Sequence, residues 1–262
     1  MSLIVFSHAN SFPASTYGVL FKSLRARGFS VRAVEKFGHD PKYPVTSNWP
    51  HLVQQLADFA APEIERHGQG AWLVVKGVLL IDSPVLGGWR ARALELAKRT
   101  QLVGSISPGK VSRQRRNTWP DAQAAFDHFA HKRAFARWDP QVLRDYIAHG
   151  TQDAPSAQGT RRVLAFNREV ETAIYNTLPH NLDRLLRRHP LACPTAFIGG
   201  TDSSEMKQVG MSMTHKLVGK DHPGRLCMVE GSHLFPMERP QETAAAIEAA
   251  LKALHNGGAG NG

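Results

Sequence analysis

Two stretches in the last third of the chain place a carboxylate and an imidazole where they could take part in acid–base chemistry. Asp202 follows the apolar run in "FIGGTDSSE", residues 197–205, and His233 follows the one in "VEGSHLFPMERPQETA", residues 229–244. A hydroxyl nucleophile at neutral pH needs a base that takes its proton and an acid that orients the base. Each residue alone is a weak signal, since a lone histidine near a C-terminus is more often a surface residue. Together, in the order acid then histidine, they indicate a catalytic pair.

The elements that must position this pair alternate between strands and helices. Short apolar runs predict strands in "LIVFSH", "FSVRAVE", "AWLVVKGVLLID", "PTAFIGG" and "GRLCMVEG". Helical spacing of apolar residues predicts helices in "TYGVLFKSLRARG", after Pro50, in "SEMKQVGMSMTHKLVG" and after Pro240. This order is typical of an α/β fold with a mostly parallel sheet flanked by helices.

The middle of the chain has a different pattern. Residues 88–190 contain amphipathic helical pieces and basic loops, and no strand alternation is visible there. We therefore expect a core formed by residues 1–87 and 191–256, a helical cap over residues 88–190, and a disordered tail at 257–262.

Three stretches resemble the α/β-hydrolase superfamily, in particular its small cytoplasmic bacterial esterase-like members. They are the two stretches around Asp202 and His233 and "FSHANSFPASTY", residues 6–17, which is similar to the His-Gly-x-Pro-type turn of that fold with Ala9 where glycine is usual. The resemblance implies that Asp202 is the triad acid and His233 the general base. It also implies that the turn formed by His8, Ala9 and Asn10 borders the pocket, with the Asn10 N–H as an oxyanion donor.

Asp82 is an alternative acid. It follows the strand "GVLLID", and some members of the superfamily carry the acid after that strand. It could equally be a turn residue that leads into Ser83 and Pro84. The sequence favours Asp202 over Asp82.

The nucleophile of the family is missing from the chain. Its strand-to-helix elbow is G-x-S-x-G, and no such motif occurs in the 262 residues, with serine, cysteine or aspartate at its centre. Two strand-like runs instead abut near Val74 to Lys76, whereas parallel neighbours need a crossover, so one central strand–helix unit of roughly 20 residues is predicted to be deleted. The serines near strand ends are interpreted as turn or cap residues; they are Ser7, Ser11, Ser83 and Ser232.

The charge and composition of the chain limit the classes of partner that we expect. The formal net charge is +10, and residues 85–190 carry 18 Lys and Arg against 9 Asp and Glu, a net of +9. This excess is compatible with an anionic small-molecule substrate or ligand, or simply with a solvated helical surface. No nucleic acid, membrane or cofactor partner is expected, the pair His128 and His131 lacks a third metal ligand, and the oligomeric state stays open. The sequence shows no signal peptide, and its two cysteines are interpreted as reduced thiols, so we expect a cytoplasmic protein.

The expected function is that of a serine hydrolase acting on carboxylic esters or similar acyl substrates, impaired here by the missing elbow. Two alternatives stay open. One is a binding protein with a hydrolase fold and no catalysis. The other is an enzyme in which a His–Asp dyad acts as a general base without a nucleophile.

Overall fold

The computed structural model describes residues 2–67, 76–100, 103, 109–157, 159–219 and 222–256. Its contacts divide the chain into two compact units. The first comprises residues 1–69 and 97–178, and the second comprises residues 70–96 and 179–262.

The first unit begins with a strand–helix–strand arrangement. Strand β1, Ser2–Phe6, pairs in parallel with β2, Phe29–Ala33, with Ser2 opposite Phe29. Helix α1, Gly18–Ala26, connects them and buries Leu20, Phe21 and Leu24, the apolar residues at helical spacing. Helix α2, Pro50–His67, follows and begins at the proline that the sequence indicated.

The remainder of the first unit contains helices and a second sheet. Strands β4, Thr118–Trp119, β5, Thr151–Ser156, and β6, Gly159–Leu164, form an antiparallel sheet in the order β4-β6-β5. The helices in this part are α4, Gly109–Gln114, α5, Ala122–Ala130, α6, Pro140–His149, and α7, Arg168–Asn176. The expectation that residues 88–190 hold no strands was therefore wrong.

The hairpin of β5 and β6 was missed because polar side chains stabilise it. Its strands read "TQDAPS" and "GTRRVL", which lack an apolar alternation. The Arg162 side chain instead donates to the Thr151 hydroxyl at 2.6 Å and to the Ile147 carbonyl at 2.8 Å, and forms an ion pair with Asp153 at 3.0 Å. These bonds fasten the hairpin to the end of α6.

Aromatic side chains form a core in the first unit. Rings from the turn after β1 and from the middle of the chain meet with centroid distances of 4.5 to 6.5 Å; they are Phe12, Phe129, Phe135, Trp138 and Tyr146. Tyr146 is completely buried. The turn that follows β1 is thus packed against the middle segment rather than held by β1 alone.

The second unit contains the sheet that positions the candidate site. Strands β3, Val78–Ile81, β7, Thr195–Gly200, and β8, Leu226–Val229, are parallel in the order β3-β7-β8. Every residue of the central strand β7 is buried, as its sequence "TAFIGG" predicts for a strand covered on both faces. The long helix α12, Pro240–Asn256, packs on β7 and β8.

Shorter helices complete the second unit. They are α8, Leu182–Arg188, α9, Ser204–Val209, α10, Ser212–Val218, and α11, Phe235–Glu238, while α3, Gly88–Arg99, runs across the division between the units. The single helix predicted in "SEMKQVGMSMTHKLVG" is in fact α9 followed by α10. The break lies at Gly210, whose φ of 79° suits glycine and ends α9.

The predicted core and the predicted cap are each distributed over both units. The deleted strand–helix unit was predicted near Val74 to Lys76, and residues 68–75 lie outside the described residues. The predicted tail, 257–262, also lies outside them. Across the described part of the chain, no helix combines the length and apolar character that crossing a membrane requires.

Candidate active site

Asp82 lies at the carboxyl edge of the parallel sheet in the second unit. It directly follows β3, whose last residue, Ile81, lies opposite Ile198 of β7. Its backbone N–H extends the ladder by donating to the Ile198 carbonyl at 2.7 Å. The Asp82 φ of 43° lies in the left-handed region, which aspartate tolerates better than most residues. The chain therefore turns sharply here and directs the carboxylate toward the end of β7.

The Asp82 carboxylate is buried and accepts three hydrogen bonds. Its side chain is 1% exposed. Oδ1 accepts from the Gly200 N–H at 2.8 Å, and Oδ2 accepts from the Ser203 hydroxyl at 2.5 Å and from His233 Nδ1 at 2.6 Å. Three donors supply the hydrogen bonds that a buried charge needs.

His233 is held by a compact loop after β8. Within this loop the Ser232 hydroxyl and backbone N–H both donate to the Glu238 carboxylate, at 2.5 and 3.1 Å. The loop crosses the end of β7 so closely that a Cβ on Gly200 would lie 2.8 Å from the Gly231 carbonyl oxygen. The glycine at position 200 therefore allows the His233 loop to approach β7 and reach Asp82.

The surroundings of His233 adjust its basicity. Burial lowers the pKa of His233, but the hydrogen bond with Asp82 and the negative charges of Glu205 and Asp82 outweigh this effect, so the pKa is raised above its ordinary value of 6.5. The His233 side chain is 29% exposed, and its Nε2 has no hydrogen-bond partner in the part of the chain that the structure describes. An oriented imidazole with an open Nε2 can take or give a proton.

In the structure His233 is paired with Asp82, the alternative acid, and not with Asp202, which the sequence favoured. His233 Nδ1 donates to the Asp82 carboxylate, whereas the Asp202 side chain is exposed and the Asp202 backbone N–H donates to the Gly231 carbonyl at 2.8 Å. The reason is the pairing of β3 beside β7, which brings Asp82 to the same edge as His233. Asp202 lies in the turn that leads into α9, where it supports the His233 loop through its backbone.

The predicted oxyanion turn belongs to the first unit. The Ala9 N–H donates to the Tyr17 hydroxyl at 3.2 Å, so it is already in use. The His8 ring accepts at Nε2 from the Phe37 N–H at 3.3 Å, and burial lowers the pKa of His8 to about 4. His8 is thus a neutral structural residue at pH 7. The Asn10 N–H, by contrast, has no hydrogen-bond partner among residues that the structure describes.

Comparison with solved structures extends these observations. The chain is similar to the peroxisomal alpha-beta-hydrolase Lpx1 of Saccharomyces cerevisiae, with a TM-score of 0.67 and 11% identity over 97% of this chain and 77% of that one. It is also similar to E-2-(acetamidomethylene)succinate hydrolase, with a TM-score of 0.60 and 18% identity over 96% and 91% of the two chains. An esterase of M. tuberculosis matches with a TM-score of 0.59 and 16% identity over 95% and 84%. The chain has the α/β-hydrolase fold. No family model and no curated protein sequence matches it.

Four serines in the described part of this hydrolase-fold protein have hydrogen-bond partners other than His233. The Ser11 hydroxyl donates to Glu171, and the Ser83 hydroxyl donates to the Ile81 carbonyl. The Ser203 hydroxyl donates to Asp82, and the Ser232 hydroxyl donates to Glu238. Of these four, Ser203 comes nearest to the pair, but it bonds the acid and also caps α9 through the Met206 N–H at 3.2 Å. None of the four occupies the position of a nucleophile on His233 Nε2.

A second buried polar cluster lies in the first unit and was not found from the sequence. Glu171, with a side chain 3% exposed, accepts from the Ser11 hydroxyl at 2.5 Å and forms an ion pair with Arg115 at 3.1 Å. The Asn10 side chain donates to the Glu171 carbonyl at 3.1 Å. Burial raises the pKa of Glu171, while the charge of Arg115 and the bond from Ser11 act against it. The cluster joins the predicted oxyanion turn to α7, and no motif connects these distant residues.

Proposed function

We propose that this chain belongs to the enzymes that hydrolyse carboxylic esters or similar acyl substrates, with His233 as general base and Asp82 as the acid that orients it. The observation that supports this most strongly is the 2.6 Å hydrogen bond between His233 Nδ1 and the buried Asp82 carboxylate. In this role Asp82 selects the tautomer that leaves Nε2 ready to accept a proton, and it stabilises the imidazolium that forms.

Several of the similar solved structures are esterases by name, which supports this proposal. Besides the hydrolases already named, they include carboxylesterases and an epoxide hydrolase. Ester hydrolysis on this fold uses a serine on the G-x-S-x-G elbow, which the present sequence lacks. We infer that the chain retains its acid–base pair and is impaired in acyl transfer. The assignment of the Asn10 N–H as an oxyanion donor stays a prediction; this N–H has no partner in the first unit as described.

The impairment predicts a distinct response to an activated ester and to a serine probe. The chain is expected to hydrolyse p-nitrophenyl acetate slowly and without a burst, and to remain unlabelled by a fluorophosphonate, because both the burst and the label require an activated serine. Replacing His233 with alanine should remove the slow hydrolysis, since general-base catalysis contributes about 100-fold or more. The measurements are steady-state and pre-steady-state release of p-nitrophenol, and mass spectrometry after probe treatment.

Two further variants make this experiment specific. His215→Gln alters an exposed histidine of α10 and should leave the rate unchanged. This variant is the control for hydrolysis through acylation of surface histidines. A chain with a strand–turn–helix segment carrying G-x-S-x-G inserted between Val74 and Lys76 should label at the new serine and gain at least about 100-fold in rate. Labelling of the unaltered chain at one of its own serines, or full activity of His233→Ala, would contradict the proposal.

A further inference from the structure

The second unit contains a cavity at the other end of its parallel sheet. The cavity has a volume of about 300 Å³ and is bordered by Thr195, the first residue of β7, and by Arg225, which precedes β8. Apolar side chains from α8, α10 and the loop before β7 form much of its wall; they include Leu186, Leu191, Leu217 and Val218. Asp82 and His233 lie beyond the carboxyl ends of these strands, roughly 17 Å away along a six-residue strand. The cavity is therefore distinct from the candidate active site.

Arg225 is a buried arginine with no ion-pair partner among the described residues. The residue is 7% exposed, and within the described part of the chain its side chain forms no ion pair and no hydrogen bond. Its Nε is inaccessible to solvent and unpartnered. Arginine is almost never buried in this way unless it is paired, because removing a charge from water is unfavourable. A bound anion would supply the missing partner.

The rest of the wall fits the same kind of occupant. The Thr195 hydroxyl, on a residue that is 2% exposed, also has no partner in the described structure, so a second polar atom at the cavity is unsatisfied. Lys216 and His222 border the cavity as well, and Lys216 forms an ion pair with Asp183 at 3.0 Å. Among the described residues, the lining thus contains two cationic side chains, Arg225 and Lys216, and no carboxylate, and much of the remaining surface is apolar.

We propose that this cavity binds a small organic acid whose carboxylate contacts Arg225 and Thr195 and whose apolar chain packs against the leucines and Val218. The guanidinium matches a carboxylate in geometry and charge, and its bonds to an anion are stronger than bonds between neutral groups. The volume lies at the lower end of the range for small-molecule sites, which restricts the occupant to a short chain. This site is independent of the proposed hydrolase function.

Octanoate is the probe for this proposal, with octanamide as its neutral analogue. Isothermal titration calorimetry of the full chain is expected to show binding of octanoate and at least about tenfold weaker binding of octanamide, because the amide lacks the charge that pairs with Arg225. Arg225→Gln should weaken octanoate binding by a similar factor and leave octanamide unchanged. Thermal unfolding without ligand should show Arg225→Gln to be as stable as the parent or more stable, since an unpaired buried charge has been removed.

Controls separate this site from other sources of affinity. Arg184→Gln removes an exposed arginine that does not border the cavity and should leave binding unchanged. His233→Ala should also leave it unchanged, which distinguishes the cavity from binding of a carboxylic acid product at the active site. Thr195→Val should weaken octanoate binding, because the hydroxyl that donates to the carboxylate is removed.

Three results would overturn the proposal. The first is equal affinity of the parent chain for octanoate and octanamide. The second is unchanged octanoate binding in Arg225→Gln. The third is octanoate binding that appears only when the carboxylate at position 221, outside the described residues, is removed in Asp221→Asn.

Discussion

Replacing Asp82 with alanine is expected to lower the free energy of unfolding by about 3–5 kcal/mol, the range found when one partner of a buried ion pair is removed. The substitution leaves the Gly200 N–H, the Ser203 hydroxyl and His233 Nδ1 without their common acceptor in a position that is 1% exposed. Urea denaturation followed by circular dichroism measures the loss. Hydrogen exchange of the Gly200 amide should accelerate in the same variant, because its acceptor is gone.

Two further variants are needed to interpret this result. Asp202→Ala changes an exposed side chain and is expected to alter stability by less than about 1 kcal/mol. Asp82→Asn keeps an acceptor for Gly200 and fits the left-handed backbone, so its loss should be smaller than that of Asp82→Ala. A loss in Asp202→Ala as large as that in Asp82→Ala would show that the acid is wrongly assigned.

Replacing Glu171 with alanine should destabilise the first unit by about 3–5 kcal/mol, for the same reason. Among the described residues, Glu171 is the only ion-pair partner of Arg115. The Nε and Nη2 atoms of Arg115 are buried and have no hydrogen-bond partner there. Without Glu171 the guanidinium keeps its desolvation cost and loses its attraction. Urea denaturation followed by tryptophan fluorescence measures the effect, because Trp119 and Trp138 are buried in this unit.

The double variant Arg115→Met and Glu171→Met is the matched test of this explanation. Well-packed apolar side chains replace a buried ion pair at little or no cost in stability, so the double variant should recover most of the loss. Glu169→Ala removes an exposed carboxylate at the start of α7 and should change stability by no more than about 1 kcal/mol. A double variant that is less stable than Glu171→Ala would contradict the role assigned to the pair.

The acid–histidine site illustrates what could be predicted from the sequence. The apolar runs that became β7 and β8 were recognisable, and so was His233 in the loop that follows β8. Asp82 and Asp202 were both recognisable as carboxylates after strands. Choosing between them required knowing that β3 pairs with β7 and that Asp82 adopts a left-handed turn. Strand order depends on contacts distant in sequence, which local patterns do not encode.

The elements that the sequence did not predict are stabilised by polar contacts. The hairpin of β5 and β6 depends on Arg162, and the buried cluster depends on the meeting of Arg115 with Glu171. Hydrophobic periodicity is the main signal for secondary structure, and it is silent about such contacts. The basic character of the middle segment was visible, but which of its arginines are buried was not. Arg225 likewise became a candidate ligand contact only when the structure placed it in a buried position with no ion-pair partner among the described residues.

The most direct test of the proposed acid–base pair is an NMR titration of His233, which does not depend on catalytic activity. Its pKa should lie above the ordinary value of 6.5. The stability that protonated His233 contributes is then fully present below its unfolded pKa and is lost as the pH rises through its folded pKa. In Asp82→Asn the pKa should fall, because burial is then no longer outweighed by the charge and hydrogen bond of Asp82, and in Asp202→Asn it should stay at the parent value. A pKa that falls in Asp202→Asn and stays constant in Asp82→Asn would contradict the assignment of Asp82 as the partner of His233.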